Sequence, residues 1–426
     1  MLQTLREKGF FHLVSANALT QGIAFLASIF LTKLLTPAEL GATRVIQSYF
    51  LVLFVLGGAG MAAAVLRFAA VEDPETAPES VFSHGSRRGF LQGALIAVLI
   101  AGFALTIGVS PIERLNAGLA VFAIAIPFSV LSDIGIQYLQ ARHRAKEVAW
   151  ISLMNRSAAA VFALAGAYMA GFWGWVAGGV LTWVFSAITA TQKIGFSALR
   201  QTPVSPQGLG SFAAMALLGN GILAVSQSLD FFLLDRLVSD RTEIGKYAFA
   251  VLFLMAATQL SGAIQAIVIP MLTQRHREID WLRKSTLKYQ GGYAVMAALA
   301  AIAMFGIVTA LVSIDFEEYA GAQVYVAILM IRFVSLAGSA VCVAAMLALG
   351  DARRHVAALA LGTLFALFFS WWATSIYGVM GTAWGQALGG LFTAICQWAA
   401  FFLALRQAKK NGPDNDSSPL AGFSGP

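Results

Sequence analysis

Arg332 stands alone in the apolar stretch 319–350, with Ser335 and Ser339 at helical spacing behind it. Arg156 follows Asn155 inside a second apolar stretch, and Arg44 and Gln47 lie three residues apart in a third. Asp133 belongs to a row of polar residues, Ser129, Asp133, Gln137 and Gln140, that descends one helical face. Asn220, Gln227 and Asp230 mark another segment, and Asn17 and Gln21 sit one turn apart near the start of the chain. An ionised group at mid-bilayer costs roughly 2.5–3.5 kcal/mol even on a lenient scale, so such groups pair with each other or mark a path for polar cargo and ions. Asp133 and Arg156 lie on consecutive predicted helices, where they either neutralise one another or serve separately. Asp133 and Asp230 are also candidates to couple to a proton or sodium ion. Arg332 has no acidic neighbour in sequence and is the charge hardest to read as scaffold. Rows of Ser, Thr, Asn and Gln have a plainer role, bonding one helix to the next. Asp235 and Arg236 fall at a helix end and are read as carrying little.

No glycine-rich phosphate loop, metal-ligand cluster or nucleophile triad occurs at a useful spacing. Cys342 and Cys396 lie in apolar runs, where a free cysteine behaves as a small hydrophobe. Neither catalysis nor a cofactor is expected.

The elements that must position these residues follow from composition. Hydrophobic residues make up 58% of the chain and charged ones 12%, whereas soluble chains are about a quarter charged. Such a chain belongs in a bilayer. The net charge of +7 is spread over many loops and is no nucleic-acid signature. Spanning helices of about 20 apolar residues are expected near 12–33, 43–66, 88–110, 116–140, 148–170, 173–191, 209–235, 247–272, 289–312, 323–349, 355–375 and 379–404. Two uncharged runs are too long for one crossing, and they break naturally at Gly171-Phe172-Trp173-Gly174 and at Tyr377-Gly378. Pro127 and Pro270 are positioned to kink or end helices. Loop 68–87 reads as an acidic, solvated face.

Lys and Arg concentrate on alternate segments, on the same side as Arg6 and Lys8; Arg87, Arg88, Arg142, Arg144, Lys146, Lys284 and Lys288 are among them. By the positive-inside rule both termini are cytoplasmic. The linker with Pro203 and Pro206 falls on that side, and the Asn/Asp/Ser/Pro/Gly-rich tail after Arg406 is expected to be disordered.

The chain also repeats itself. Leu35-Thr36-Pro37-Ala38-Glu39-Leu40-Gly41 is echoed by Val238-Ser239-Asp240-Arg241-Thr242-Glu243-Ile244-Gly245. Gly171, Gly174 and Gly178 return as Gly378, Gly381 and Gly385 at one constant offset. A duplicated membrane chain places its substrate site between its halves. The expected fold is all-α and polytopic, with about twelve spanning helices in two pseudo-symmetric six-helix bundles. Their bounds are 1–192 and 209–405, joined by a cytoplasmic linker at 193–208 and followed by a tail at 406–426.

Several of these motifs resemble a family. Lys33 to Gly41 is similar to the first helix junction of bacterial O-antigen-type polysaccharide flippases, members of the multidrug/oligosaccharidyl-lipid/polysaccharide (MOP) exporter superfamily. Gly60-Met61-Ala62-Ala63-Ala64-Val65-Leu66-Arg67 resembles the end of their second helix. Ser228 to Leu234, with Glu243-Ile244-Gly245-Lys246-Tyr247, resembles the start of their second half, and Ile269-Pro270 matches a proline after helix 8. Thr43-Arg44 departs from the family, which more often carries an aromatic after the glycine. The resemblance covers about 10–405 and lies in the order of loose motifs.

It implies a MATE/MOP-like pair of bundles around a cavity lined by helices 1, 2, 7 and 8. It also implies that a polyprenyl-diphosphate-linked oligosaccharide is moved between leaflets of the bacterial cytoplasmic membrane by alternating access, for polysaccharide biosynthesis. Arg332, with Arg156 or Arg44, would then meet the diphosphate, since the guanidinium fork matches phosphate oxygens. Asn17, Gln21, Gln47 and Gln227 would meet polar groups of the cargo. The expected partners are this lipid-linked cargo, membrane lipid and a proton or sodium ion, with no nucleic acid and a monomeric chain. An ion-coupled multidrug antiporter of the same superfamily is the first rival. A membrane-embedded sugar polymerase or ligase is the second, disfavoured by short outer loops.

Overall fold

A computed structural model describes residues 10–71, 77–275 and 278–411; the side chains of 10–19, 260–267, 269–270, 274, 352 and 410–411 lie outside the description. The expected positions Asn17 and Pro270, and the tail beyond Asn411, therefore fall outside the described side chains or residues. Among the described residues every regular element is helical, and the helices group into two units that divide between Gly245 and Lys246.

The first unit holds α1 (Phe10–Leu34), α2 (Pro37–Gly58), α3 (Met61–Phe68), α4 (Pro78–Thr106), α5 (Glu113–Ala123), α6 (Ala125–Ala141), α7 (Ala145–Ile194), the short α8 (Phe196–Arg200) and α9 (Leu209–Leu237). α10 (Arg241–Gln274) begins in it. The second unit continues α10 and adds α11 (Ile279–Ile314), α12 (Ala322–Ala337), α13 (Ala340–Ala348) and α14 (Ala352–Asn411). α9 packs on α2 and α3, so the contact boundary falls after the first helix of the second repeat.

Seven described helical stretches, with α12 and α13 taken as one, are long and apolar enough to cross a bilayer, or eight when the bent pair α5–α6 counts as one span. Two of the seven are hairpins. α7 turns at Gly171, with φ 55° and ψ −133°, and α14 turns at Gly378, with φ 57° and ψ −135°. A side chain disfavours both conformations, which glycine adopts freely.

Residues equally far from each turn then meet. A β-carbon on Gly174 would stand 1.8 Å from the Gly166 carbonyl oxygen, and one on Gly178 2.3 Å from that of Phe162. Beyond Gly378, Gly381 lies on Ala373, Gly385 on Ser370 and Gly389 on Ala366. Each long helix is thus two antiparallel crossings, broken where the sequence predicts, and the small residues make the close faces expected of them. α1 and α10 occupy the remaining two expected spans.

Other boundaries differ from expectation. α4 starts at Pro78, so residues 78–87 are not a solvated loop: Ser80 to Ser83 are buried, and Glu79 accepts the Tyr138 hydroxyl at 3.1 Å. The expected helix 116–140 is two helices bent by 43° around Ile124. Pro127 has no N–H to give to Ala123, and its ring crowds that carbonyl.

The expected helix 323–349 breaks at Gly338-Ser339 with no proline present. There Gln290 of α11 donates to the Ala337 carbonyl at 2.8 Å and accepts the Val341 N–H at 2.9 Å, while the Trp398 indole donates to the Gly338 carbonyl at 2.9 Å. These side chains replace the backbone bonds lost at the break, which hydrocarbon cannot do.

Candidate functional site

In the first unit the polar side chains gather where α2 begins and α9 ends. α2 opens on a capping box: the Glu39 N–H donates to the Thr36 hydroxyl and the Thr36 N–H to the Glu39 carboxylate, both at 3.3 Å. Pro37 suits the first turn, where its missing N–H costs nothing. The same carboxylate pairs with Arg114 at 2.8 Å, and that guanidinium lies 4.7 Å from the centre of the Phe172 ring, just past the hairpin turn of α7. Two turns into α2, Arg44 donates to Gln47 at 2.8 Å. Of the sequence-predicted contact residues, these two alone are brought together by a direct bond among the described residues.

Beside them lies a group the sequence reading underweighted. Asp235, on the last turn of α9, has a side chain with no exposed surface. Its carboxylate accepts the Ser110 hydroxyl at 2.8 Å, the Tyr49 hydroxyl at 3.1 Å and Arg241 at 3.1 Å. Arg236 donates to the Val109 carbonyl. Asn116 holds that loop in shape, accepting the N–H groups of Val109 and Ser110 at 2.9 and 2.8 Å. Reading Asp235 and Arg236 as an idle helix end is therefore corrected: they tie α9 to α2 and to the loop before α5. An Asp-Arg pair closing an apolar helix immediately before the repeated junction was the available signal.

The two echoed junctions also touch. A β-carbon on Gly41 would stand 3.0 Å from the Gly245 nitrogen, and one on Gly245 1.8 Å from the Pro37 carbonyl oxygen. Only glycine is small enough for this approach, and the equivalent position of each repeat carries one.

The remaining candidates of this unit are scattered. Asp133 is half-buried and takes a long 3.5 Å bond from Gln137 on its own helix. It does not pair with Arg156, as a neutralising couple would; Arg156 is exposed. Asn155, next to it, bonds Ser186 at 2.6 Å and Thr189 at 3.1 Å across the α7 hairpin, and Ser186 meets Ser132 of α6. This is inter-helix glue. Asp230 is buried, and its carboxylate accepts the Phe231 N–H at 2.9 Å. Gln21 is half-buried and Gln227 exposed.

In the second unit Arg332 sits mid-way along α12, half-buried, its aliphatic stem against Gly390 of α14. Ser335 and Ser339 do not support it: their hydroxyls bond the carbonyls of Ile331 and Leu336, and the break at Gly338 turns Ser339 off the face. Gln397 bonds His355 across the α14 hairpin, and Thr393 lies on Gly362, both as glue.

Two groups of arginines contrast. Arg114, Arg144, Arg241 and Arg354, near helix ends, each pair with a carboxylate. Arg44, Arg156 and Arg332, inside apolar helices, have none among the described residues. Charges in that setting are retained when something else needs them.

Comparison with known proteins agrees with this architecture. A profile of a family described as polysaccharide biosynthesis protein matches residues 30–319. No curated protein matches the chain. Among solved structures, an inward-facing multidrug resistance MATE family transporter of the MOP superfamily shares 13% identity over 92% of this chain and 96% of its own, with a TM-score of 0.75. The lipid II flippase MurJ, in an inward closed conformation, shares 11% over 94% and 91%, with a TM-score of 0.74. A point mutant of the Vibrio cholerae MATE transporter VcmN shares 18% over 95% and 97%, at 0.59. With spans fit to cross a bilayer and a family match over most of its length, the chain belongs to the polysaccharide biosynthesis protein family, and its fold is similar to that of MATE transporters and of the MurJ flippase.

Proposed function

We propose that this protein moves a polyprenyl-diphosphate-linked oligosaccharide from the inner to the outer leaflet of the bacterial cytoplasmic membrane. A diphosphate and its sugars lose water on entering hydrocarbon, so a transporter must replace that hydration. The observation that carries this reading is the set of span arginines without carboxylates. Arg332 leads it, with Arg156 and Arg44 as companions toward the diphosphate. Asn17, Gln21, Gln47 and Gln227 serve the cargo's hydroxyls, and Asp133 and Asp230 are the candidates for coupling to a proton or sodium ion. Two six-helix repeats, with both termini cytoplasmic, rock about the site. Membrane-impermeant labelling of a cysteine at Ser205 only from the periplasmic side would overturn that orientation.

The direct test is glycan export in cells, read beside membrane abundance. Arg332→Gln keeps the side-chain stem on Gly390 and loses the charge, and export is expected to fall at least tenfold at normal abundance. Arg332→Lys keeps the charge but not the fork and should lose less. Normal export by Arg332→Gln removes the arginine from the cargo path. The near-equal fold likeness to MATE transporters favours one second reading, export of a multidrug substrate. Drug extrusion by reconstituted vesicles, unchanged in Arg332→Gln, would support it instead.

A further inference from the structure

We propose that the groove between α11 and α12 binds one chain of an anionic membrane phospholipid whose headgroup rests on Lys284 and Lys288. The groove is open-sided, offers about 450 Å³ and has Ala298, Ile302 and Phe305 of α11 and Ala327, Met330 and Val334 of α12 among its lining. That volume lies within the range of small-ligand pockets, about 300–1,000 Å³. Its lining is almost wholly apolar, so the part of a ligand that enters it is hydrocarbon.

The approach to the groove says which hydrocarbon. At about 3.6 residues per turn, Lys284, Lys288, Gly291, Val295, Ala298, Ile302 and Phe305 fall on one side of α11, within roughly 100° of arc. Both lysines are exposed and form no ion pair among the described residues. Gly291, between them and the groove, has no atom within 4 Å of where a β-carbon would stand. The helix surface is therefore an open track from the two ammonium groups to the apolar groove. Lys288 is about 15 Å along the axis from Ala298, close to half of the ~30 Å hydrocarbon thickness. A lipid with its phosphate at the lysines would thus place its chain in the groove at bilayer depth. Gln290, the one amide side chain of α11, is committed to the α12–α13 break. The head end of α11 so offers charge without a free amide for sugar hydroxyls, which favours a phospholipid over the glycan-bearing cargo.

The test uses the full chain in nanodiscs, with phosphatidylglycerol carrying a photoreactive group at the end of one acyl chain. Phosphatidylcholine with the same chain is the neutral control. Labelling of the 298–305 and 327–334 segments is expected to be several-fold higher with phosphatidylglycerol. Each lysine near anionic lipid is worth roughly fivefold, so Lys284→Gln with Lys288→Gln should bring labelling down to the neutral level. Ala327→Phe, which fills the groove, should lower labelling with both lysines intact. Thermal unfolding of each variant checks that it is folded. Equal labelling by the two lipids, or labelling indifferent to the lysine pair, would show an ordinary lipid-facing surface and overturn the proposal. Displacement of the probe by polyprenyl phosphate at concentrations where unlabelled phosphatidylglycerol has no effect would overturn it in favour of the cargo's tail. Because the readout is lipid labelling, it stands apart from glycan export and from the Arg332 test.

Discussion

Asp235 and Arg332 are both charges bounded by apolar helix, and the protein treats them oppositely. Asp235 has no exposed side-chain surface, and two hydroxyls and a guanidinium answer it. Arg332 is half-buried, rests its stem on Gly390 and pairs with no carboxylate among the described residues. A charge satisfied from three elements holds those elements together. A charge left without a counterpart in an apolar setting is costly, and the proposed function gives it a counterpart in the cargo. On the proposed function, the contrast separates residues that keep the protein folded from residues that meet its cargo, and it can be broken by measurement.

The largest effect is expected at Asp235. Asp235→Ala strands Arg241, Tyr49 and Ser110, and removing one partner of a buried ion pair costs about 3–5 kcal/mol. Thermal unfolding of the purified protein should shift sharply downward, with lowered membrane abundance. A variant with normal stability and defective export would move Asp235 into the cargo path.

Arg241→Gln acts on the other side of the same pair. It leaves Asp235 buried, but the Ser110 and Tyr49 hydroxyls still donate to the carboxylate and soften the loss. One lost hydrogen bond to a charged group costs about 1.5–3 kcal/mol, and the midpoint in denaturant should fall by less than for Asp235→Ala. An equal or larger fall would mean that Arg241, not Asp235, is the centre of the cluster.

Glu39→Gln is the solvent-exposed version of the experiment. Arg114, its partner, is half exposed, and such pairs are worth about 0–1 kcal/mol. The amide can still complete the capping box. A small shift that shrinks further at high salt is the expected result.

Arg332→Gln should have the smallest effect on stability, because the stem that packs on Gly390 is kept. An unchanged melting temperature together with lost export sharpens the contrast. A large destabilisation would place Arg332 with Asp235 as scaffold.

What could be read along the chain was what depends on near neighbours. Apolar runs set the spans, because the bilayer fixes their length. Gly171 and Gly378 set the hairpin turns, because a reversal with positive φ needs glycine at the turn itself. Small residues at fixed steps from those turns set the close faces. The resemblance pointed to the family for a similar reason, since junction motifs are contiguous.

What stayed hidden depends on residues far apart. Asp235 becomes a hub only through Tyr49 and Ser110, 186 and 125 positions away. The helix breaks at Gly338 because Gln290 and Trp398 take over its backbone bonds, a condition set by two other helices. Asp133 and Arg156, adjacent by helix order, fail to pair because helix order does not set the rotation of one helix against the next. Local geometry is written in spacing, whereas charge satisfaction is decided only when packing brings the partners within about 3 Å, the length of a hydrogen bond.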